Sequence, residues 1–165
     1  MQQSWAEFLL SAGQDSETSQ IYGWKNNLGT FQTEFDRIYA ELKKSIPDYN
    51  SRHLVHSDLI NRNVLFDKGR ITAVLDWGSA LYGDYMYDLA WLLFYDQYVN
   101  GLSPDFKSVA LEGYRDSGLD TGSADERIRA CQLHIGLDSI AYNSFRNDPD
   151  GIKLAIRLVN RATGI

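Results

Sequence analysis

The sequence predicts an α+β fold that is mostly helical, and three observations predict it. Apolar residues recur at helical spacing from Phe31 to Ile46 and again from Met86 to the end of the chain. Extended signals are confined to three short apolar runs between His53 and Leu75. The length of 165 residues, 44% of them hydrophobic and 13% aromatic, suits one domain with a real core. That composition excludes a disordered polymer, a collagen-like repeat and a disulfide scaffold.

Trp5, Phe8, Leu9 and Leu10 suggest a short amphipathic turn, and Gly13 to Gln20 reads as polar loop. Phe31, Phe35, Ile38, Tyr39, Leu42 and Ile46 predict an amphipathic helix from about Thr30 to Ser45, stopped by Pro47. The period then changes. His53-Leu54-Val55, Asn63 to Phe66 and Ile71 to Leu75 are short apolar runs. Asp67-Lys68-Gly69-Arg70 has turn chemistry between the last two and predicts a β-hairpin. These strands are too few and short for a conventional sheet core; they support loops, where function usually sits. Met86 to Tyr98 predicts a strongly apolar helix. Ser103-Pro104 reads as an N-cap with Pro at the first helical position, for a helix ended by Gly118. Ser123 and Glu126 have capping-box spacing, for a helix to about Phe145. Asp148-Pro149-Asp150 opens the last helix.

Lys and Arg number 16 against 22 Asp and Glu, a formal net charge of −6. An acidic balance argues against a nucleic-acid partner and is compatible with a cationic ligand. Cys131 is the only cysteine, so no intrachain disulfide is possible, which fits a reducing compartment. MQQSWAEFLL lacks a basic region followed by a long apolar core and does not read as a signal peptide. The strongest apolar stretch, Leu89 to Tyr95, is flanked by Asp88 and Asp96 and falls short of a bilayer span. The expectation is a soluble, cytoplasmic protein with no membrane partner.

The segment between the strand signals carries the chemistry. His56-Ser57-Asp58-Leu59-Ile60-Asn61-Arg62-Asn63 has the form H-x-D-x-x-x-x-N, the catalytic-loop spacing of kinase-like phosphotransferases. Asp58 is placed to accept a hydroxyl proton, or to orient the hydroxyl, as it attacks a γ-phosphoryl group. Asn63 and Asp76 offer oxygen ligands to Mg²⁺, and the hairpin returns the chain so that Asp76 comes near Asn63. Against this stands a plainer assignment: Asx-turns at Asp58 and Asn63, a helix cap at Asp76, a packed core histidine at His56. Taken singly the residues favour it. Taken together, three residue types flanked by a strand and a hairpin favour the phosphotransferase site.

The stretch RHLVHSDLINRNVLFDKGRITAVLDWGSALYGDYMYDLAWLLFY resembles the C-terminal lobe of the aminoglycoside phosphotransferase family. The likeness is strong over residues 52–95, weaker through RIRACQLHIGLD to the C-terminus, and one of style over residues 1–50. It implies the C-terminal lobe of a protein-kinase-like fold: leading helices over 1–50, catalytic loop and hairpin over 51–83, a helical subdomain over 84–165. It implies ATP as phosphoryl donor and Mg²⁺ as cofactor. Asp58 matches the catalytic aspartate, His56 the histidine that props its loop, and Asn63 and Asp76 the metal ligands. Asp88 matches a helix aspartate that braces the catalytic-loop backbone, although a charge favoured at a helix N-terminus is an equal reading. Ser57 stands where much of the family has Gly, and Arg62 is in reach of either a γ-phosphate or solvent. For a cationic, hydroxyl-bearing acceptor the candidates are Asp84, Asp96 and Asp138, with Trp91, Tyr95 and Tyr98 as aromatic surfaces.

No glycine-rich phosphate loop and no V-A-x-K lysine precede the catalytic loop. In the family these lie in an N-terminal β-lobe. The expectation is therefore a fragment of a longer enzyme, with that lobe supplied in cis or in trans. Competing expectations are a noncatalytic kinase-like binding module, a kinase of choline, homoserine or a sugar, and a metal-dependent phosphohydrolase using the same Asp and Asn residues.

Overall fold

A computed structural model describes residues 4–98 and 102–165, with the backbone alone at Asn61. Met1 to Gln3, at the head of the N-terminal stretch read above, lie outside the described residues. The chain forms two compact units, one from residues 1–50 with 129–165 and one from residues 51–128.

The first unit is helical. Helix α1 (Trp5–Leu10) opens on a capping box: Ser4 Oγ accepts from the Glu7 amide at 3.1 Å, and Glu7 Oε2 accepts from the Ser4 amide at 2.7 Å. The loop after it is pinned by Asp15, whose carboxylate accepts from the Gly23 and Lys25 amides at 2.7 and 3.1 Å. Gly13 is required by close approach, since a Cβ there would lie 2.4 Å from the Tyr39 ring. Helix α2 (Gln32–Lys44) follows a 3₁₀ turn at Gly29–Phe31 and buries Phe35, Ile38 and Leu42, the spacing read from the sequence. Trp24 packs on Phe35 with ring centroids 4.9 Å apart, and Ser144 Oγ donates to the Trp24 carbonyl at 2.7 Å.

Helix α5 (Ala124–Phe145) runs from the second unit into the first. Every residue from Ala130 to Leu137 is buried. A helical stretch buried on all sides lies inside a fold, and this one takes Gln132 and His134 in with its apolar residues. Its start and end match the sequence reading, although Ser123 holds φ 49° rather than the extended backbone of a capping box. Helix α6 (Pro149–Thr163) is opened by Asp148, which accepts from the Gly151 amide at 2.9 Å, and is closed by Gly164 at φ 71°. Arg129 joins the ends of these helices, donating to Ser45 Oγ at 2.5 Å and to the Thr163 carbonyl at 3.4 Å, with Glu41 3.6 Å away.

His134 lies in the buried run of α5 with its ring 4.7 Å from that of Phe8, and burial pushes its pKa down to about 4. Its neutral form is the one the fold accepts. Between about pH 6.5 and 4 the unfolded chain binds a proton that the folded chain refuses, so stability falls as pH falls through that window. The loss reaches about 3 kcal/mol near pH 4. Asp58, Asp88 and Asp138, whose pKa values are raised, contribute with the opposite sign. The difference between wild type and His134→Leu, measured by urea unfolding at pH 7 and pH 4.5, isolates the histidine. Equal pH dependence in the two proteins would refute the assignment.

The second unit holds two separate two-stranded antiparallel sheets. Strand β1 (His53–Val55) pairs with β4 (Leu81–Gly83), Val55 facing Leu81. Strand β2 (Val64–Asp67) pairs with β3 (Arg70–Val74) in the hairpin read from the sequence. Lys68 at φ 47° and Gly69 at φ 80° make the left-handed two-residue turn that matches strand twist. A register shift between Leu65 and Phe66 bulges the ladder near its tip.

Two helix boundaries depart from expectation. Helix α3 (Met86–Phe94) ends before Tyr98. Tyr95 leaves helical geometry, and the Asp96 carboxylate takes the Gln97 amide at 2.5 Å, drawing the backbone into a 3₁₀ turn. Helix α4 (Phe106–Asp116) begins two residues after Pro104, with Asp105 as its N-cap. Ser103 and Pro104 instead form a turn closed by the Phe106 amide on the Ser103 carbonyl at 2.9 Å.

Candidate active site

The site is built from two loops of the second unit. One leaves β1 and carries residues 56–63; the other leaves β3 and carries residues 75–80. The Leu75 amide donates to the Asn63 carbonyl at 2.8 Å, so the foot of the hairpin sets the two loops side by side. His56 joins them a second time. It is 2% exposed; its Nδ1 accepts from the Asp58 amide at 3.3 Å, and its Nε2 is 2.8 Å from the Leu75 carbonyl. An Nδ1 that accepts leaves the proton on Nε2, which therefore donates to Leu75. With both nitrogens on backbone groups and its ring 4.9 Å from that of Trp77, His56 ties the two loops together.

Asp88, in the first turn of α3, secures the start of the loop. Its Oδ2 accepts from the His56 amide at 2.9 Å and its Oδ1 from the Ser57 amide at 2.8 Å. Burial raises the Asp88 pKa, and the two backbone donors oppose it. The helix-end charge and the loop brace weighed above are thus one residue. Its position is that of a first-turn acid, and its bonds go to the loop.

Asp58, Asn63 and Asp76 meet in this frame. The Asn63 side-chain nitrogen donates to the Asp58 carbonyl at 2.9 Å, which leaves its amide oxygen available. Partial burial raises the Asp58 pKa. The nearby Asp76 charge raises it further, while His56 and a hydrogen bond from Asn63 act against both. Asp76 holds φ 61° at the head of the 3₁₀ turn Trp77–Ser79, and its side chain makes no cap hydrogen bond there. The helix-cap alternative is therefore not what Asp76 does. Its carboxylate is exposed and accepts no hydrogen bond among the described residues.

Two neighbouring carboxylates, Asp76 raising the pKa of Asp58, beside an available amide oxygen suit a hard divalent cation. Asn63 and Asp76 would hold Mg²⁺ with only two protein oxygens, the number such an ion takes when phosphates and waters supply the rest. Among the described residues no group of three or more His, Cys, Asp or Glu is placed to hold a metal without that help.

The acceptor candidates fare differently. Asp84 is corrected. It is fully buried, and both its oxygens are taken by Arg127, Nε to Oδ2 at 2.8 Å and Nη2 to Oδ1 at 2.6 Å, with the Met86 amide also on Oδ1 at 2.9 Å. A charge in that position is structural. Arg127 is the residue the sequence reading missed. It lies 5.0 Å over the Tyr85 ring and donates to the Asp120 and Gly122 carbonyls at 2.6 and 3.2 Å. Burial disfavours its charge, and Asp84 more than restores it.

Asp96 is exposed at the end of α3. Trp91 stacks on Tyr87 within α3, with centroids 6.4 Å apart, and lies tilted against Tyr95, just past the helix end, at 5.2 Å. Tyr98 is exposed. Asp138 lies on α5 in the first unit, exposed to solvent, with its pKa raised by the protein around it. Arg62 is exposed on the 3₁₀ turn Asn61–Asn63, and its guanidinium has no partner among the described residues.

An aspartate, an amide and a second carboxylate on loops held by a buried histidine are the arrangement expected of a kinase-like phosphotransferase. The chain belongs to the phosphotransferase enzyme family, whose model matches residues 6–129. It is 37% identical over 139 residues to hygromycin-B 4-O-kinase of Escherichia coli, covering 83% of this chain and 38% of that protein. It is 32% identical over 91 residues to homoserine kinase of Neisseria meningitidis serogroup B, covering 52% of this chain and 28% of that protein. Among solved structures it resembles a thermostable mutant of aminoglycoside phosphotransferase APH(4)-Ia in ternary complex with AMP-PNP and hygromycin B. The TM-score is 0.74 and the identity 27%, over 98% of this chain and 52% of that one. The same enzyme with ADP and hygromycin B matches equally well. The mostly helical fold with small antiparallel sheets is thus the kinase-like fold of APH(4)-Ia, and this chain spans about half of it or less in each relative. Among the described residues no helix is long and apolar enough to cross a membrane.

Proposed function

We propose that this chain is the part of an ATP-dependent phosphotransferase that supplies the base, the metal ligands and the acceptor site, and that the acceptor is a hydroxyl of an aminoglycoside-like molecule. The gathering of Asp58, Asn63 and Asp76 by the hairpin foot carries the reading. Asp58 accepts the proton of the attacking hydroxyl, or holds that hydroxyl in line, as its oxygen bonds to the γ-phosphorus and the bridging oxygen leaves with ADP. A carboxyl pKa raised by burial and by Asp76 makes Asp58 a stronger base than a solvated aspartate. Asn63 and Asp76 would hold Mg²⁺, whose charge would neutralise that of the phosphates. Arg62 stands free to meet the γ-phosphate.

For the acceptor, Asp96 offers negative charge to a polycation, and Trp91 and Tyr95 in the same unit offer aromatic surface. A single buried Cys131 and the need for ATP fit the cytoplasm. Leu65, Phe66, Ile71, Leu75 and Trp77 expose large apolar surface on the hairpin and beside Asp76. A patch of that kind marks an interaction surface, which supports a second lobe that closes over the nucleotide. The likeness to homoserine kinase favours one alternative, a smaller hydroxyl acceptor.

The test joins this chain to the part of hygromycin-B 4-O-kinase that the alignment leaves uncovered. The joined protein is expected to consume ATP when hygromycin B is added. This chain alone is expected to bind ATP·Mg²⁺ weakly by calorimetry. Turnover with homoserine or choline and none with any aminoglycoside would overturn the acceptor. Tight ATP·Mg²⁺ binding by the chain alone would overturn the division of labour.

A further inference from the structure

We propose that Ser57 is a positioning residue that sets the spacing between the loop bearing Asp58 and the loop bearing Asp76; its consequence for transfer rests on the phosphotransferase reading above. Ser57 faces Ser79 in the register that Val55 keeps with Leu81, so it stands where the β1–β4 ladder would continue. The ladder stops there because Ser57 adopts φ 60°, which turns the chain outward toward Asp58. Its side chain takes over the tie, with Ser57 Oγ donating to the Ser79 carbonyl at 2.5 Å. Its amide meanwhile donates to Asp88 Oδ1 at 2.8 Å. One residue thus joins α3, the start of the Asp58 loop and the end of the Asp76 loop.

A residue chosen only to fit this backbone would be glycine, which reaches positive φ without steric cost. Serine bears that cost and adds a hydroxyl. Strain of this kind persists where the surroundings hold it, and at Ser57 both neighbours that hold it belong to the candidate site. Asp76 is also left-handed, at φ 61°, so each of the two acidic side chains is aimed by a backbone kink. The hydroxyl links the two kinked loops.

The variant that separates positioning from packing is Ser57→Gly. It relieves the backbone and removes the tie. In the 165-residue chain its thermal midpoint is expected to match or exceed that of wild type. Amide exchange at Leu75 and Ala80 is expected to quicken on the order of five- to tenfold, the change one lost hydrogen bond brings. Ser57→Ala keeps the strain and loses the tie; it is expected to show the same exchange with a lower midpoint. In the joined enzyme, Ser57→Gly is expected to need more Mg²⁺ for half-maximal rate and to lower kcat with little change in acceptor KM. Unchanged exchange at Leu75 and Ala80 in both variants overturns the proposal. If exchange quickens as expected and Asp58→Ala leaves turnover intact, the loop linkage stands and the phosphotransferase reading is what fails.

Discussion

Replacing Asp58 with alanine in the joined enzyme lowers kcat by roughly 10²- to 10⁴-fold, the range that a positioned proton acceptor contributes. The fold should not suffer. Burial and the Asp76 charge both work against an ionised Asp58, so removing the carboxylate takes away an unfavourable charge. The thermal midpoint of Asp58→Ala is therefore expected at or above that of wild type. Asp58→Asn should behave alike in both respects, because its amide keeps the shape and cannot accept the proton. Steady-state kinetics and a melting curve on the same samples check this. An Asp58→Ala enzyme with activity within a few-fold of wild type would remove the base from the mechanism. One that failed to fold would show Asp58 to be structural.

The second large effect is on stability. Arg127→Ala leaves Asp84 buried with its charge unanswered, and breaking a buried pair in this way costs about 3–5 kcal/mol. For a chain of this size the midpoint should fall on the order of 10 °C. The Asp120 and Gly122 carbonyls lose their donor in the same step. Removing both charges, as in Asp84→Ala with Arg127→Met, should recover much of the loss, because the isolated charge and not the missing attraction carries most of the penalty. A loss below about 1 kcal/mol for Arg127→Ala alone would show that water reaches Asp84. Chemical unfolding of the three proteins side by side decides it.

Asp84 also shows where sequence reading ends. Its neighbours gave it the look of a pocket carboxylate, since it follows the loop cluster and the chain was expected to bind a cation. Nothing in the spacing reveals that an arginine forty-three positions later reaches it. An arginine at the head of a helix that is buried soon afterward was the available signal, because a cation so placed needs an acid. Strand β4 escaped for a different reason. Three residues have no period, and Leu81 to Gly83 become a strand only because β1 lies alongside. The hairpin was legible because its turn chemistry is local: Lys68 and Gly69 make the left-handed pair whatever surrounds them. The Asp58 loop was legible for a related reason, since its tie to Leu75 and Asn63 follows from the hairpin being short. Where α3 ends was settled by the Asp96 side chain taking a backbone amide, and where α4 begins by a backbone turn onto the Ser103 carbonyl, and neither leaves a periodic trace.

The interrupted first unit bears on how the chain is made. Residues 51–128 form one continuous segment, so that unit emerges from the ribosome in a single stretch. Residues 4–50 emerge earlier but wait for 129–165, so α1 and α2 stand half-assembled until α6 has been made. Trp5, Leu9 and Trp24 are buried in the finished protein and stay open to water throughout that delay. Of the two units, the one opened by α1 and α2 is then the later to become native, and a nascent chain arrested before α6 should present these helices to chaperones while the Asp58 loops are already in place.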